Sequence, residues 1–276
     1  MLKNLFFLIV PALFYSSAVQ CQVVDERQNT PVAVSTSKTM QEEKLGLELS
    51  LGAQSLSSGY GDWKDLTIRS AYNFNQHVLQ GEVSLSRRFN QDGLFVGASD
   101  TYTFNDNWYG SLAVGAGDGA FYLPRYRVDG AIYRKMLAER NLVGSIGAGY
   151  YRAPDGHTDN ILSLGMVYYF ASPWVLEGGV RFNNSLPGSI NTRQQFVAAT
   201  YGRDKHDIVI ARYGWGKEGY LAIAANSQIV NFKSSEASLT WRHWFNPTTG
   251  MLISATRYSN PAYRRSGLNI GLFTSY

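Results

Sequence analysis

The sequence predicts an all-β protein: a transmembrane, antiparallel up-and-down β-barrel of about 14 strands, with roughly 12 to 16 as the bounds of the count. Three observations carry that expectation. Apolar and polar residues alternate with a period of two over most of the chain. Aromatic residues gather at the ends of the alternating segments, and the connections between segments switch between short and long.

The first segment, "MLKNLFFLIVPALFYSSAVQCQ", reads as an export signal: Lys3 is its basic start, Leu5 to Tyr15 its apolar centre, and Ser16-Ser17-Ala18 its small-residue end. About 11 apolar residues fall well short of the roughly 20 that a membrane-spanning helix needs. Cleavage is expected after residue 18, or as late as 21. Cys21 is the only cysteine, so no internal disulfide forms, and Val19-Gln20 before it lack the small residue that lipidation favours. Residues 19–44 are polar without periodicity and are expected to form a periplasmic tail. The barrel is expected over 45–276.

The alternation then begins. Leu45, Leu47, Leu49, Leu51 and Ala53 interleave with Gly46, Glu48, Ser50, Gly52 and Gln54. Leu66, Ile68, Tyr72 and Phe74 oppose Asp65, Thr67, Arg69 and Asn73, and Val83 and Leu85 oppose Glu82, Ser84 and Ser86. Leu162 to Phe170, Trp174 to Phe182 and Ala237 to Phe245 repeat the pattern. A period of two gives a strand one oily and one wet face. Such a face could pack inside a soluble sandwich or barrel, a periplasmic binding module, or could meet lipid. Segment lengths of about 9–12 residues suit a tilted membrane-spanning strand better than the usual 5–6 of a soluble sheet.

Aromatic placement favours lipid. Trp63, Tyr72, Phe74, Phe89, Phe104, Trp108, Phe170, Trp174, Phe182, Trp244 and Phe245 stand at segment ends, where interfacial girdles are expected. "FNQH", "FNDNW", "FASPW" and "FNPTTG" read as tight periplasmic turns. "SSGYGDWKD", "GDGAFYLPR", "YRAPDGHTDN", "NNSLPGSINTR" and "YSNPAYRRSG" read as longer outer loops. "GWGKEGYLAIAANSQIVNFK" also reads as a longer outer loop; within it, Tyr220–Phe232 is either part of that loop or a strand extension, and two extra strands there would bring the count to about 16. The last segment, "LNIGLFTSY", is strand-like to its final residue, as a barrel requires if its last strand closes on its first.

Composition narrows the function classes. A net charge of +4 with basic residues dispersed among acids offers no stripe for nucleic acid. The glycine runs at 115–120 and 144–149 lie on strands without a following helix, so no nucleotide or other cofactor is expected. Glu82, Arg88, Arg125, Arg127, Asp129, Lys135, Glu177, Arg181, Glu236 and Arg242 fall on the polar faces and are the candidate lumen-lining residues. They could line a pore for a polar solute such as a saccharide, or pair across the interior and plug it. A membrane-embedded lipid or acyl hydrolase would need a Ser–His–acid set. His77, His157, His206 and His243 are present, but no nucleophile motif marks a serine, and no catalytic or metal site is expected.

Several stretches resemble the YaiO family of outer-membrane β-barrels: Tyr122–Lys135, Gly147–Phe182 and Ala211–Tyr220. The resemblance implies a bacterial outer-membrane location and, for some members, an association with polysaccharide synthesis or export; it carries over no catalytic residue. Asn269, Gly271 and Tyr276 are also similar to the C-terminal signal read by the barrel-assembly machinery, with Thr274 departing from it. Outer-membrane lipid, that machinery and a saccharide are the partners expected.

Overall fold

The structure, a computed structural model, describes residues 44–171 and 173–276. The expected export signal, and the expected tail up to residue 43, lie outside the described residues. Strands account for nearly everything else. They are β1 Lys44–Leu56, β2 Asp62–Phe74, β3 His77–Arg88, β4 Gln91–Thr103 and β5 Trp108–Gly117. Then come β6 Tyr126–Met136, β7 Leu142–Arg152, β8 Thr158–Tyr169, β9 Trp174–Leu186 and β10 Ile190–Gly202. β11 Asp207–Ala224, β12 Ser227–Trp244, β13 Thr249–Ser259 and β14 Arg264–Ser275 complete the sheet. Each strand pairs antiparallel with the next, and β14 pairs with β1, closing a 14-strand barrel. The seam runs from Gly46 opposite Ser275 to Leu56 opposite Arg265. Beyond it, Leu45 and Tyr276 exchange backbone hydrogen bonds of 3.2 and 2.9 Å.

The two faces are inverted relative to a soluble protein. On β1, Leu51 is 63% exposed while neighbouring Ser50 is 1% exposed. Leu85, Val96, Leu112, Ile146, Met166, Leu239 and Leu272 are likewise exposed on the outer surface, whereas Asp65, Arg88, Arg127, Arg181 and Arg265 are buried. Apolar side chains on the outside of a closed cylinder have only lipid to meet, which excludes the soluble alternative. The end carrying Lys44 and Ser275 is the periplasmic end in barrels of this class.

Two expectations need correction. The connections do not alternate short and long: at the outer end, 89–90 and 225–226 are two-residue turns, and only 118–125 is extended. Much of what reads as loop chemistry is strand that continues past the hydrocarbon layer of the membrane. The segment from Gly214 to Lys233 is such an extension, so β11 and β12 reach 18 residues each and no additional strands arise. The expected girdle also loses three of its rings to the interior. Tyr72, Phe74, Phe104, Trp108, Phe170, Trp174, Phe182 and Phe245 stay on the outside. Trp63 is fully buried, Phe89 packs against it at 5.0 Å, and Trp244 packs against Phe273 at 5.0 Å. Phe89 also holds a positive φ of 51° in the β3–β4 turn, a conformation costly for a bulky residue. Contacts with Trp63, Tyr60 and Phe121 hold its ring there.

Candidate functional site

The lumen is the candidate site, and its inward positions form three levels. Near the periplasmic end, Tyr109 and Tyr133 stack at 4.5 Å and 3° among Val78, Ala131, Val143 and Val167. Lys135 lies 5.9 Å from the Tyr109 ring centroid.

Ion pairs fill the middle. Arg69 donates to Glu82 at 2.7 Å and to Glu48 at 3.2 Å, and Arg242 donates to the other Glu48 oxygen at 2.9 Å. Four charges from β1, β2, β3 and β12 are thereby tied together. Arg242 also lies 4.0 Å from the Phe273 ring centroid. Higher up, Arg88 donates to Asp65 at 2.8 Å and Arg265 to Glu236 at 2.9 Å. Their guanidinium groups lie 5.0 and 4.9 Å from the buried Trp63 ring centroid. Across the barrel, Arg127 pairs with Asp129 at 2.6 Å. Asp159 accepts hydrogen bonds from Asn183, at 2.9 Å, and from Ser185.

The sequence-derived residues therefore fall as follows. Glu82, Arg88, Arg127, Asp129, Lys135, Glu177, Arg181, Glu236 and Arg242 sit on the inward register of their strands. Arg125 departs from them, being exposed in the connection before β6. Most partners come from other strands: Glu82 meets Arg69, Arg88 meets Asp65, Glu236 meets Arg265 and Arg242 meets Glu48. Arg181 stands out because its three guanidinium nitrogens are buried without a hydrogen-bond partner among the described residues. Its charge lies within electrostatic reach of Asp129, Asp159 and Glu218, and of the like-charged Arg127. Glu48, Asp65 and Arg69 were visible on the polar face of the alternation; Glu218 and Arg265 lie in stretches that read as loop.

The outer mouth is crossed by the β11–β12 hairpin. β11 pairs with β10 only as far as Gly216, opposite Gln194, while its pairing with β12 continues beyond. Gly216 has a φ of +151°, open to glycine alone, and a Cβ there would collide with the carbonyl oxygen of Arg193. Past this point Glu218, Gly219, Tyr220 and Leu221 are all buried. A wall strand shows one face outwards, so four successive buried residues mean that the segment has protein on both sides.

Leu221 joins a cluster with Leu56, Trp63, Phe232, Tyr258 and Tyr263, on the β13–β2 side of the mouth. Tyr220 joins Tyr151 and Ala153, stacks on His157 at 5.1 Å and donates to the Pro187 carbonyl at 2.6 Å, on the β7–β10 side. Gly219 fits against Ser185 of β9, where a Cβ would overlap the hydroxyl. Tyr258 donates to Glu218 at 2.9 Å. The 118–125 connection adds a second insert, with Tyr122 fully buried and donating to the carbonyl oxygens of Ser86 and Gln91.

The histidines serve other positions. His157 is buried with Nδ1 2.6 Å from Asp155, and His77 and His243 meet Asp100 and Asp207 at 2.7 and 2.9 Å. Among the described residues, no group of three or more His, Cys, Asp or Glu side chains is placed to hold a metal ion.

Known proteins support this architecture. The barrel is similar to the CymD monoaromatic hydrocarbon channel, with 8% identity, 84% of this chain and 87% of that chain covered, and a TM-score of 0.56. It is similar to a bacterial polysaccharide outer membrane secretin at 9% identity, with 85% and 98% covered and a TM-score of 0.52. It also resembles Omp33 of Acinetobacter baumannii at 11% identity, with 83% and 97% covered and a TM-score of 0.51. Identities this low speak for the fold alone. No curated protein matches the sequence. The YaiO membrane beta barrel domain matches residues 44–221, well over half of the chain. With a closed cylinder, an apolar exterior and that match, the chain is an outer-membrane β-barrel and belongs to the YaiO family.

Proposed function

We propose that the protein is a gated conduit for a polar solute of saccharide chemistry, working beside polysaccharide export, with the β11–β12 hairpin as the closed gate of its outer mouth. The observation that carries this reading is the buried run Glu218–Leu221, which crosses the mouth above a polar lumen. Cross-strand ion pairs leave the lumen mixed in sign, with donors and acceptors side by side. Such a wall suits an uncharged polyhydroxylated solute better than an ion of one sign.

The test is conductance in planar bilayers. The full chain should conduct little. A variant in which 219–231 is replaced by a two-residue Asn-Gly turn should conduct steadily, and an uncharged oligosaccharide should reduce its current. Equal conductance of the two proteins would remove the gate; an open variant indifferent to oligosaccharide would remove the saccharide. As part of the same reading, Asn269, Gly271 and Tyr276 are what the barrel-assembly machinery recognises.

A further inference from the structure

The charges on the outside of the barrel are unevenly placed. Along β10–β14, the exposed side chains of the outer half include Arg193, Lys217, Lys233, Arg257 and Arg264. From residue 190 to the last residue there are four acids, and none of them shares that surface. Asp204 and Asp207 belong to the periplasmic turn and the periplasmic start of β11, while Glu218 and Glu236 are turned into the lumen, against Tyr258 and Arg265.

The row at the top of this face is tighter still. Lys217 and Lys233 are direct cross-strand partners. Arg193 lies one register step beyond the last pair of β10 and β11, Gln194 opposite Gly216. Like charges directly opposite one another on a sheet repel, so this arrangement is unfavourable unless an anion lies between them. Trp215 and Tyr213, both exposed, come next on the same face of β11 towards the lipid. Aromatic rings of this kind mark the membrane–water interface, which puts the cations at the level of the headgroups.

We infer that Arg193, Lys217 and Lys233 form a binding site for the phosphorylated headgroup of an outer-leaflet glycolipid. The partner follows from charge and depth together. The site faces sideways into the leaflet rather than upwards into solvent, and it presents cations to a layer whose headgroups carry phosphate. Arg257 and Arg264 extend the same surface along β13 and β14.

The experiment uses the full barrel in an uncharged detergent, titrated with lipid A and with chemically dephosphorylated lipid A, the retained lipid being counted by native mass spectrometry. The wild type should hold the phosphorylated form about tenfold more tightly, and added salt should weaken that preference. The triple variant Arg193→Gln, Lys217→Gln, Lys233→Gln should lose the preference while keeping its boiled-versus-unboiled gel shift, the check that it still folds. Lys205→Gln, in the periplasmic turn, should keep both. Equal binding of the two lipids by the wild type overturns the proposal. So does a triple variant that still discriminates, and so does phosphatidylglycerol bound as tightly as lipid A, which would reduce the row to an unspecific anion surface.

Discussion

Arg69 sits between Glu48 and Glu82, with all three side chains less than a fifth exposed. Its removal would leave two carboxylates facing each other with only Arg242 still attached to Glu48. Arg69→Met should therefore cost about 3–5 kcal/mol, read as a lower unfolding midpoint in urea, because a buried pair is broken rather than replaced. Arg181 poses the opposite case, since its guanidinium has no hydrogen bond to lose among the described residues. In the barrel with the shortened hairpin, Arg181→Met should shift the reversal potential towards cation selectivity, because a fixed positive charge leaves the lumen. An unchanged reversal potential would mean that Arg181 does not meet the permeating path. The inward residues were legible in the sequence because a period of two assigns each side chain a face. Their partners were not, since periodicity says nothing about which inward side chains on nearby strands come level with one another; Glu236 of β12 thus finds Arg265 of β14, 29 residues away, rather than Arg242 on its own strand.

Hairpins carry the next level of organisation. β12 was recognisable from Glu236 onwards, where one face meets lipid, whereas β11 was bounded only by the loop-like stretch that begins at Gly214. Between those points both faces are buried or the strand stands clear of the hydrocarbon layer, so the apolar–polar alternation that marks a membrane strand is absent. The inward turn depends on Gly216, and a methyl group there meets the Arg193 carbonyl at a φ that L-residues avoid. Gly216→Ala should cost roughly 1–3 kcal/mol locally. That cost falls on the closed gate rather than on the wall, so the variant should conduct more than the wild type in planar bilayers while its gel shift persists. An impermeable Gly216→Ala barrel would show that the hairpin's path does not depend on this residue. Phe89 illustrates the same limit of sequence reading: nothing in "RFNQ" announces a two-residue turn, because the strain at Phe89 is supported by rings from other strands.

For the cylinder as a whole, closure is the controlling event, because a strand edge left open in lipid leaves its backbone groups without partners. Closure was legible from "LNIGLFTSY", and the seam uses that strand along its length. The structure also gives two of its residues work that needs no assembly factor. Asn269 donates to the Leu51 carbonyl at 2.6 Å, and Gly271 lies where a Cβ would come within 3.0 Å of the Leu49 carbonyl oxygen and of Ser50. Tyr276 differs, being 74% exposed and joined to β1 through its backbone. Packing and recognition can therefore be separated. Gly271→Val should lower the yield of refolding from urea into detergent, where no machinery is present, because the added side chain presses on β1 and on Leu252 of β13. Tyr276→Ala should refold normally in detergent, and in cells it should reach the outer membrane in smaller amounts, counted after fractionation. If Tyr276→Ala assembles normally in cells, the terminal ring is not a signal; if Gly271→Val refolds as well as the wild type, the seam tolerates a side chain that its geometry says it cannot hold.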